Sequence, residues 1–342
     1  MNTQIVNQLS ELVLHMEARR LLALLEGDVK QGKAWEFRKR GTEKALRVIR
    51  RLDYVITDPD ELLELDGVGK GTVGRVKEIL ETGELTELQD SNLATSERIK
   101  GITELLSVIN IGMATVRNLV VNHGITNIEQ LREAVESGEF KPSSKIKLGL
   151  FYHGKVDTHI PRKKTRLFEV ALVDVASQLD LEVRICGSYR RGREYSSDID
   201  VLVYSPEYHD EVPDPSPLGA LVEGCRAAGL LLDSMTPKSN HLKWLGFGQI
   251  PGEEAVYRID LLFIPYRSLA TAMAYYTGPY ELNSIMRGIA KRMCLKLNEH
   301  YYARLDKTGH LTYIYPKSEA EVFQMVDMQY LTPRERDAYR LN

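Results

Sequence analysis

The sequence predicts an α+β protein: an all-helical first half, then a mixed β-sheet with helices, then a small α/β segment. Three observations predict it. Up to about residue 55, apolar positions recur three or four apart, as in VNQLSELVLHM and EKALRVIRRL. A helix, Gly-x-Gly turn, helix pattern occurs as LDGVGKGTVGRVKEIL, and a looser copy, with Asn110 in place of the first glycine, follows 43 residues later as VINIGMATVRNLVVNHG. From residue 181 short strand-like runs dominate, LEVRIC, IDVLVY and AVYRIDLLFIP, with helical stretches between them.

Composition bounds the rest. At 342 residues the chain is too long for one small core, and 43% hydrophobic with 27% charged residues is ordinary for a globular protein. No apolar run reaches the roughly 18–20 residues needed to span a bilayer. The start, MNTQIVNQLS, lacks the layout of a secretory signal, so an intracellular protein without membrane contact is expected. Cys186, Cys225 and Cys294 are widely spaced, which argues against a disulfide framework or a zinc site. A net charge of −3 is not that of a nucleic-acid binder taken whole. Its distribution is different: residues 30–51 hold nine basic and two acidic side chains, and Arg162 with KKTR forms a second cluster. One such run is ordinarily a solvated helix face; the repeated hairpins change the reading.

In each hairpin the glycine-containing turn opens the second helix, so free backbone N–H groups point outward at a helix N-terminus and can take a phosphate oxygen. Gly67 and Gly69 form the first turn. Asn110 and Gly112 stand in their places in the second. Glycine lets another backbone approach, and no base edge is read. The segment SSKIKLGLFYHGKVDTHIPRKK links this half to the stranded half, and the proline-rich stretch 205–219 reads as a loop.

The stretch CGSYRRGREYSSDIDVLVY carries the chemistry. Asp198 and Asp200 share one face of a strand, and two like charges this close raise each other's pKa unless a cation lies between them. Asp260, in YRIDLLFIP, is a third carboxylate in an alternating strand. Three carboxylates suit hard divalent ions, two of them about 3.5–4 Å apart for phosphoryl transfer. Gly187 and Ser188 offer N–H groups and a hydroxyl to terminal phosphates, and Arg190 and Arg191 offer charge. Gly-Ser, Asp-x-Asp and a later strand Asp form a nucleotidyltransferase pattern.

Taken in order, the basic helices, both hairpins, IPRKK, GSYRRG with DID, RID, YYTG with its N-x-x-x-R, LNEH and PKSEAEVF resemble the X-family DNA polymerases over nearly the whole chain. The resemblance implies a lyase-like helical domain at 1–90 with the first hairpin and a DNA-binding helical subdomain at 91–156 with the second. A nucleotidyltransferase palm follows at 157–267, and a nucleotide- and template-binding subdomain at 268–342. Asp198, Asp200 and Asp260 would be ligands for two Mg2+ ions, for which Mn2+ could substitute, and Asp260 would accept the proton of the primer 3′-hydroxyl. Gly187, Ser188, Arg191 and Ser197 would meet the triphosphate. Tyr275, Tyr276 and Gly278 would lie against the incoming sugar, and Asn283 against the base. Arg258 would hold the primer end, Arg287 the template and Lys243 the DNA. In the helical half, Arg38, Gly67, Gly69, Lys70, Arg75 and Gly112 would contact DNA. The carbonyls of Leu63, Leu65, Val68, Leu106, Val108 and Ile111 would hold K+ or Na+ against a phosphate.

The implied activity is template-directed filling of short gaps in base excision repair. It would use a dNTP and gapped or nicked DNA with a 5′-phosphate. The protein would act as a monomer in the nucleus or at sites of replication and repair, with other repair proteins as possible partners. Two alternatives stay open: a template-independent terminal transferase, and a non-catalytic protein that binds gaps or ends. The Tyr-Tyr-Thr-Gly turn resembles the template-dependent members, and no leading BRCT-like module is expected.

The departures concern the lyase. Arg75 stands where the family's 5′-deoxyribose-phosphate lyase has its Schiff-base lysine, and a guanidinium stays protonated. Gly71 and Arg38 replace two further lysines. Weak or absent lyase activity is expected, with Lys70 or Lys77 as substitute amines. His159 stands where an arginine is common, and Pro279 where a serine is usual.

Overall fold

The computed structural model describes residues 2–50, 52, 54–88, 93–237, 240–305 and 310–337. The chain divides into two compact units between His153 and Gly154. The boundary expected between residues 90 and 91 lies outside the described residues.

The first unit is helical: α1 (Thr3–Leu25), α2 (Val29–Ile49), α3 (Lys70–Thr82), α4 (Leu93–Leu105), α5 (Met113–His123), α6 (Ile128–Glu136) and α7 (Ser144–Tyr152). A 3₁₀ turn, Pro59–Glu64, stands where the sequence suggests the first helix of the first hairpin. Helix α1 belongs to two cores. Ile5, Leu9, Leu12 and Met16, at helical spacing, pack with Trp35, Leu46, Ile49 and the first hairpin. Ala18, Leu21 and Leu22 pack instead with Ile99, Ile102, Val116 and Leu119 around the second. Each fully buried leucine here contributes about 1.5–3 kcal/mol relative to an exposed one. Between the two sets sits Glu17, which accepts from Arg20 Nη2 at 2.5 Å and from Lys39 Nζ at 2.8 Å. Burial alone would raise its pKa, but these two cations hold it at about 2. The contact with Lys39 ties α1 to α2.

The two hairpins repeat in atomic detail. The N–H of Val68 donates to the Leu65 carbonyl at 3.1 Å, and that of Ile111 to the Val108 carbonyl at 3.0 Å. Gly67 and Asn110 both take the left-handed region, φ +97° and +68°, a conformation that asparagine tolerates better than most side chains. Gly69 and Gly112 are the N-caps of α3 and α5, with no side-chain cap. A Cβ at either would meet nothing within 4 Å.

The second unit runs β1 (Ile160–Pro161), α8 (Arg162–Ser177), β2 (Glu182–Ile185), α9 (Gly187–Arg190), β3 (Tyr195–Ser196), β4 (Ile199–Tyr204), α10 (Leu218–Ala227), β5 (Leu231–Ser234), β6 (Lys243–Gln249) and β7 (Val256–Phe263). It continues with α11 (Leu269–Thr277), α12 (Tyr280–Arg292), β8 (Leu295–Leu297), β9 (Tyr302–Leu305), β10 (Leu311–Ile314) and α13 (Glu319–Gln324). A mixed five-stranded sheet has the order β2-β4-β7-β6-β5, with β4 and β7 parallel and the other pairs antiparallel. One face, through Ile199, Val201, Val203, Ile259, Leu261 and Phe263, packs under α8 and α10. The other face, through Leu202, Tyr204 and Leu262, packs against α11. A separate small core unites α11, α12, the three-stranded sheet β10-β9-β8 and α13. No helix among the described residues is long and apolar enough to cross a membrane.

Candidate active site

Side chains alternate along β4 and β7, so the residues between the core positions emerge on the α11 side. Asp200 lies directly opposite Asp260 in the parallel register. Arg258, two residues before Asp260, shares its face. Asp198 lies close enough to act on both carboxylates: burial first, then Asp198 and Asp260, push Asp200 up to about 7. Burial also raises Asp260, against the pull of Arg258.

Among the described residues no group of three His, Cys, Asp or Glu side chains already stands closed for a metal ion. Arg258 supplies a reason. Its Nη2 donates to Asp260 Oδ2 at 2.9 Å, so one edge of that carboxylate faces a cation of the chain itself. The remaining atoms nevertheless fit a divalent ion. Asp260 Oδ1 is buried without a hydrogen-bond partner, and burial, with Asp198 and Asp260 nearby, drives Asp200 towards neutrality. The donors are all hard oxygens.

This excess of negative charge has a consequence for stability. Asp200 binds its proton more tightly folded than unfolded, so its contribution is complete below the ordinary value of 3.8 and is lost as pH rises through about 7. In metal-free buffer at pH 8, Asp200→Asn is expected to melt above the parent by about 2–4 °C for each kcal/mol of relieved repulsion. The difference should shrink to nothing as pH falls towards 4, which calorimetry across that range checks.

The Gly-Ser turn is folded onto the same carboxylate. Gly187 has φ +55°, and a Cβ there would lie 2.6 Å from Asp200 Oδ2, so a side chain would require the site to shift. The N–H of Cys186 donates to the Asp200 carbonyl at 2.8 Å. Ser188 Oγ donates to Ser196 Oγ at 2.8 Å, and Ser197 Oγ to Asp198 Oδ1 at 3.2 Å.

The two arginines of the turn part company. Arg190 does not offer charge to a ligand, as the sequence suggested. Its guanidinium is half-buried, bonded to Thr277 Oγ1 at 2.5 Å and to both Glu319 oxygens at 3.0 and 2.6 Å. A buried carboxylate needs such a partner, and sequence alone did not show that Glu319 would arrive. Arg191 donates through Nη1 to the Thr277 carbonyl at 2.7 Å and through Nε to Asp337 Oδ1 at 2.7 Å.

Tyr275 and Tyr276 close α11 with their rings edge to face at 5.2 Å. The chain reverses at Gly278, φ +64°, followed by a cis peptide to Pro279. Asn283 Nδ2 donates to the Tyr275 carbonyl at 2.7 Å. Ala274, Tyr275, Asn283, Met286 and Arg287 line one shallow concavity. Tyr280, which the sequence reading passed over, is 79% exposed and lies three and seven residues before Asn283 and Arg287, on the same helix face. Lys243 opens β6, opposite Leu262 of β7. The ring of His159 stacks on Tyr195 at 3.8 Å.

In the first unit, Arg38 and Arg19 lie over the Trp35 ring at 4.9 and 5.1 Å. Lys70 is the first residue of α3. Arg75 is engaged: Glu87 accepts from its Nε at 2.5 Å and its Nη2 at 2.9 Å. Lys77 Nζ donates to Asp60 Oδ2 at 2.8 Å, and this contact raises its pKa. A raised pKa leaves less of the free amine that a substitute at Lys77 would need.

Three family models match in this order along the chain: a helix-hairpin-helix domain over residues 1–85, the DNA polymerase beta palm over 159–266 and the DNA polymerase beta thumb over 272–337. The chain belongs to the X-family DNA polymerases. It is 26% identical over 321 residues to DNA polymerase lambda of Rattus norvegicus, covering 90% of this chain and 53% of the rat protein. It is 26% identical over 311 residues to DNA polymerase lambda of Arabidopsis thaliana, covering 86% and 57%. To DNA nucleotidylexotransferase of Xenopus laevis it is 24% identical over 333 residues, covering 86% and 63%. The chain thus spans a little over half the length of these relatives. Membership of this family implies use of a divalent metal ion and of DNA.

Proposed function

We propose that the chain is a template-directed DNA polymerase that fills short gaps during base excision repair. The observation that carries this reading is the parallel register of Asp200 with Asp260, with Asp198 acting on both and the Gly187 turn pressed onto Asp200. Asp198, Asp200 and Asp260 would hold two Mg2+ ions, or Mn2+ in their place. Bound there, the ions would supply charge neutralisation for a triphosphate and acidify the primer hydroxyl.

The chain's own residues do the rest. Ser188 and Arg191, with the backbone at Gly187 and Ser197, receive the triphosphate. Tyr275, Tyr276 and Gly278 face the sugar, and Asn283 the base. Asp260 takes the proton of the primer 3′-hydroxyl, whose oxygen bonds to the α-phosphorus as pyrophosphate leaves. For this, Arg258 first moves from Asp260 Oδ2 to the primer end. Lys243 and Arg287 contact primer-template DNA.

In the first unit, the helix N-termini at Gly69 and Gly112 meet phosphates flanking the gap. The carbonyls of Leu63, Leu65 and Val68, and of Leu106, Val108 and Ile111, hold K+ or Na+. Arg38 and Lys70 serve the 5′-phosphate side. We read residues 1–90, 91–156, 157–267 and 268–342 as lyase-like, DNA-binding, palm and nucleotide-binding segments of a monomer acting on intracellular DNA.

The similarity to a nucleotidylexotransferase favours one second reading, untemplated addition to single strands. Insertion of one nucleotide into a one-nucleotide gap bearing a 5′-phosphate, beside an open primer-template and a bare strand, separates the two. Templated insertion, fastest on the phosphorylated gap and declining steeply with salt, is the expected result. Addition to the bare strand would replace it with the transferase, and tight gap binding without insertion in Mg2+ or Mn2+ would replace it with a binding protein.

A further inference from the structure

The C-terminal tail brings two consecutive side chains to one network. Arg336 lies in the 3₁₀ turn Glu335–Asp337 and is 1% exposed. Its Nη2 donates to Glu319 Oε1 at 2.7 Å, its Nε to the Leu331 carbonyl at 3.1 Å and its Nη1 to the Ala274 carbonyl at 3.4 Å. A guanidinium so deeply buried is stable only with its donors matched. Arg336 therefore anchors the tail and fixes where the next residue stands.

That residue, Asp337, is shared by two arginines of the RRGR turn. Its Oδ1 accepts from Arg191 Nε at 2.7 Å and its Oδ2 from Arg193 Nε at 2.8 Å. Arg191 is also held from the other side, where its Nη1 donates to the Thr277 carbonyl at 2.7 Å. Its side chain is 12% exposed. A guanidinium has five N–H donors in one plane. Contacts at Nε and Nη1 fix that plane, and donors remain on Nη1 and Nη2.

We propose that Asp337 is a positioning residue for the incoming nucleotide: it holds Arg191 in the orientation in which those remaining donors meet the triphosphate. The proposal rests on the reading of Arg191 as a triphosphate contact. Asp337 acts through Arg191 and does not touch the nucleotide. Its charge matters, because charge-assisted hydrogen bonds are about twice as strong as neutral ones. Without the carboxylate, Arg191 and Arg193 would repel each other and Arg191 would lose its defined plane. One carboxylate between two guanidinium groups leaves a net positive charge, so the turn still attracts phosphate.

The test is steady-state insertion by the full chain into a phosphorylated one-nucleotide gap. Asp337→Ala is expected to raise the KM for dNTP about fivefold to twentyfold, within the range of coupling between contacting side chains. The kcat and the Kd for gapped DNA should stay within about twofold, since neither the carboxylate site nor the DNA contacts pass through Asp337. Asp337→Glu should recover most of the loss. In an Arg191→Ala background, Asp337→Ala should add little.

An unchanged KM in Asp337→Ala, with Arg191→Ala impaired, overturns this proposal alone. So does an equal penalty from Asp337→Ala in both backgrounds, or a loss of kcat and DNA affinity alongside KM. Arg191→Ala with an unchanged KM overturns the triphosphate reading beneath it as well. If Asp337→Ala does not fold, Asp337→Asn replaces it; it keeps an acceptor without charge, and a KM equal to the parent's would equally refute the role of the charge.

Discussion

Asp260→Ala is expected to lower single-nucleotide insertion by at least about a thousandfold, since metal-assisted charge stabilisation is worth several kcal/mol of barrier. Affinity for gapped DNA should stay within a few-fold of the parent. The asymmetry follows from position. Asp260 is in the middle of β7, opposite Asp200, and its Oδ1 is buried without a partner, so the alanine removes both a proposed oxygen ligand and the proposed proton acceptor. The hairpin N-termini belong to the other unit and keep their N–H groups. Arg258, freed from Asp260 but still beside Asp198 and Asp200, becomes available to the primer end, which should favour its retention. Rapid quench with a pre-bound gap measures the first quantity and fluorescence anisotropy the second. An insertion rate within tenfold of the parent would remove Asp260 from the chemistry.

Borohydride trapping on an incised abasic site is expected to give little or no covalent adduct with the parent chain. Arg75 stands where the family's lyase amine would be, and Glu87 grips it along two edges. Arg75→Lys alone should not restore trapping, because a carboxylate at that distance would hold the new amine protonated. Arg75→Lys with Glu87→Gln is the variant expected to trap, at least about tenfold above the parent, since a neutral amine is the nucleophile. Any residual adduct of the parent should disappear in Lys70→Ala and persist in Lys77→Ala, whose ammonium Asp60 stabilises. A strong parental adduct that survives Lys70→Ala would overturn this account.

Much of the site was legible because its logic is local. Asp198 and Asp200 are two residues apart, and strand alternation alone puts such a pair on one face. The hairpin repeat was legible down to Asn110 standing in the place of Gly67, and the shared positive φ shows why: one turn demands one geometry. The strand containing Asp260 was visible from its alternation, although its register against Asp200 was not. What stayed hidden depends on contacts across long separations. Arg191 and Asp337 are 146 positions apart, and Arg190 and Glu319 are 129 apart. Nothing in RRGR distinguishes the arginine that is used up in the interior from the one left for a ligand. Likewise a lone glutamate at position 87 carries no sign that it will clasp Arg75. Periodicity and spacing report neighbours along a strand or helix, whereas ion pairs between distant segments emerge only after folding.

Helix α1 has a thermodynamic consequence. Its first half closes one hydrophobic core and its second half closes another, with the Glu17 cluster between them. Fraying of either hairpin loosens the helix on which the other rests, so the first unit is expected to melt in a single cooperative transition rather than two independent ones. Order gained at one hairpin should then favour order at its counterpart. If the two hairpins grip DNA on opposite sides of a gap, occupancy of either side raises affinity for the other without any new contact being made.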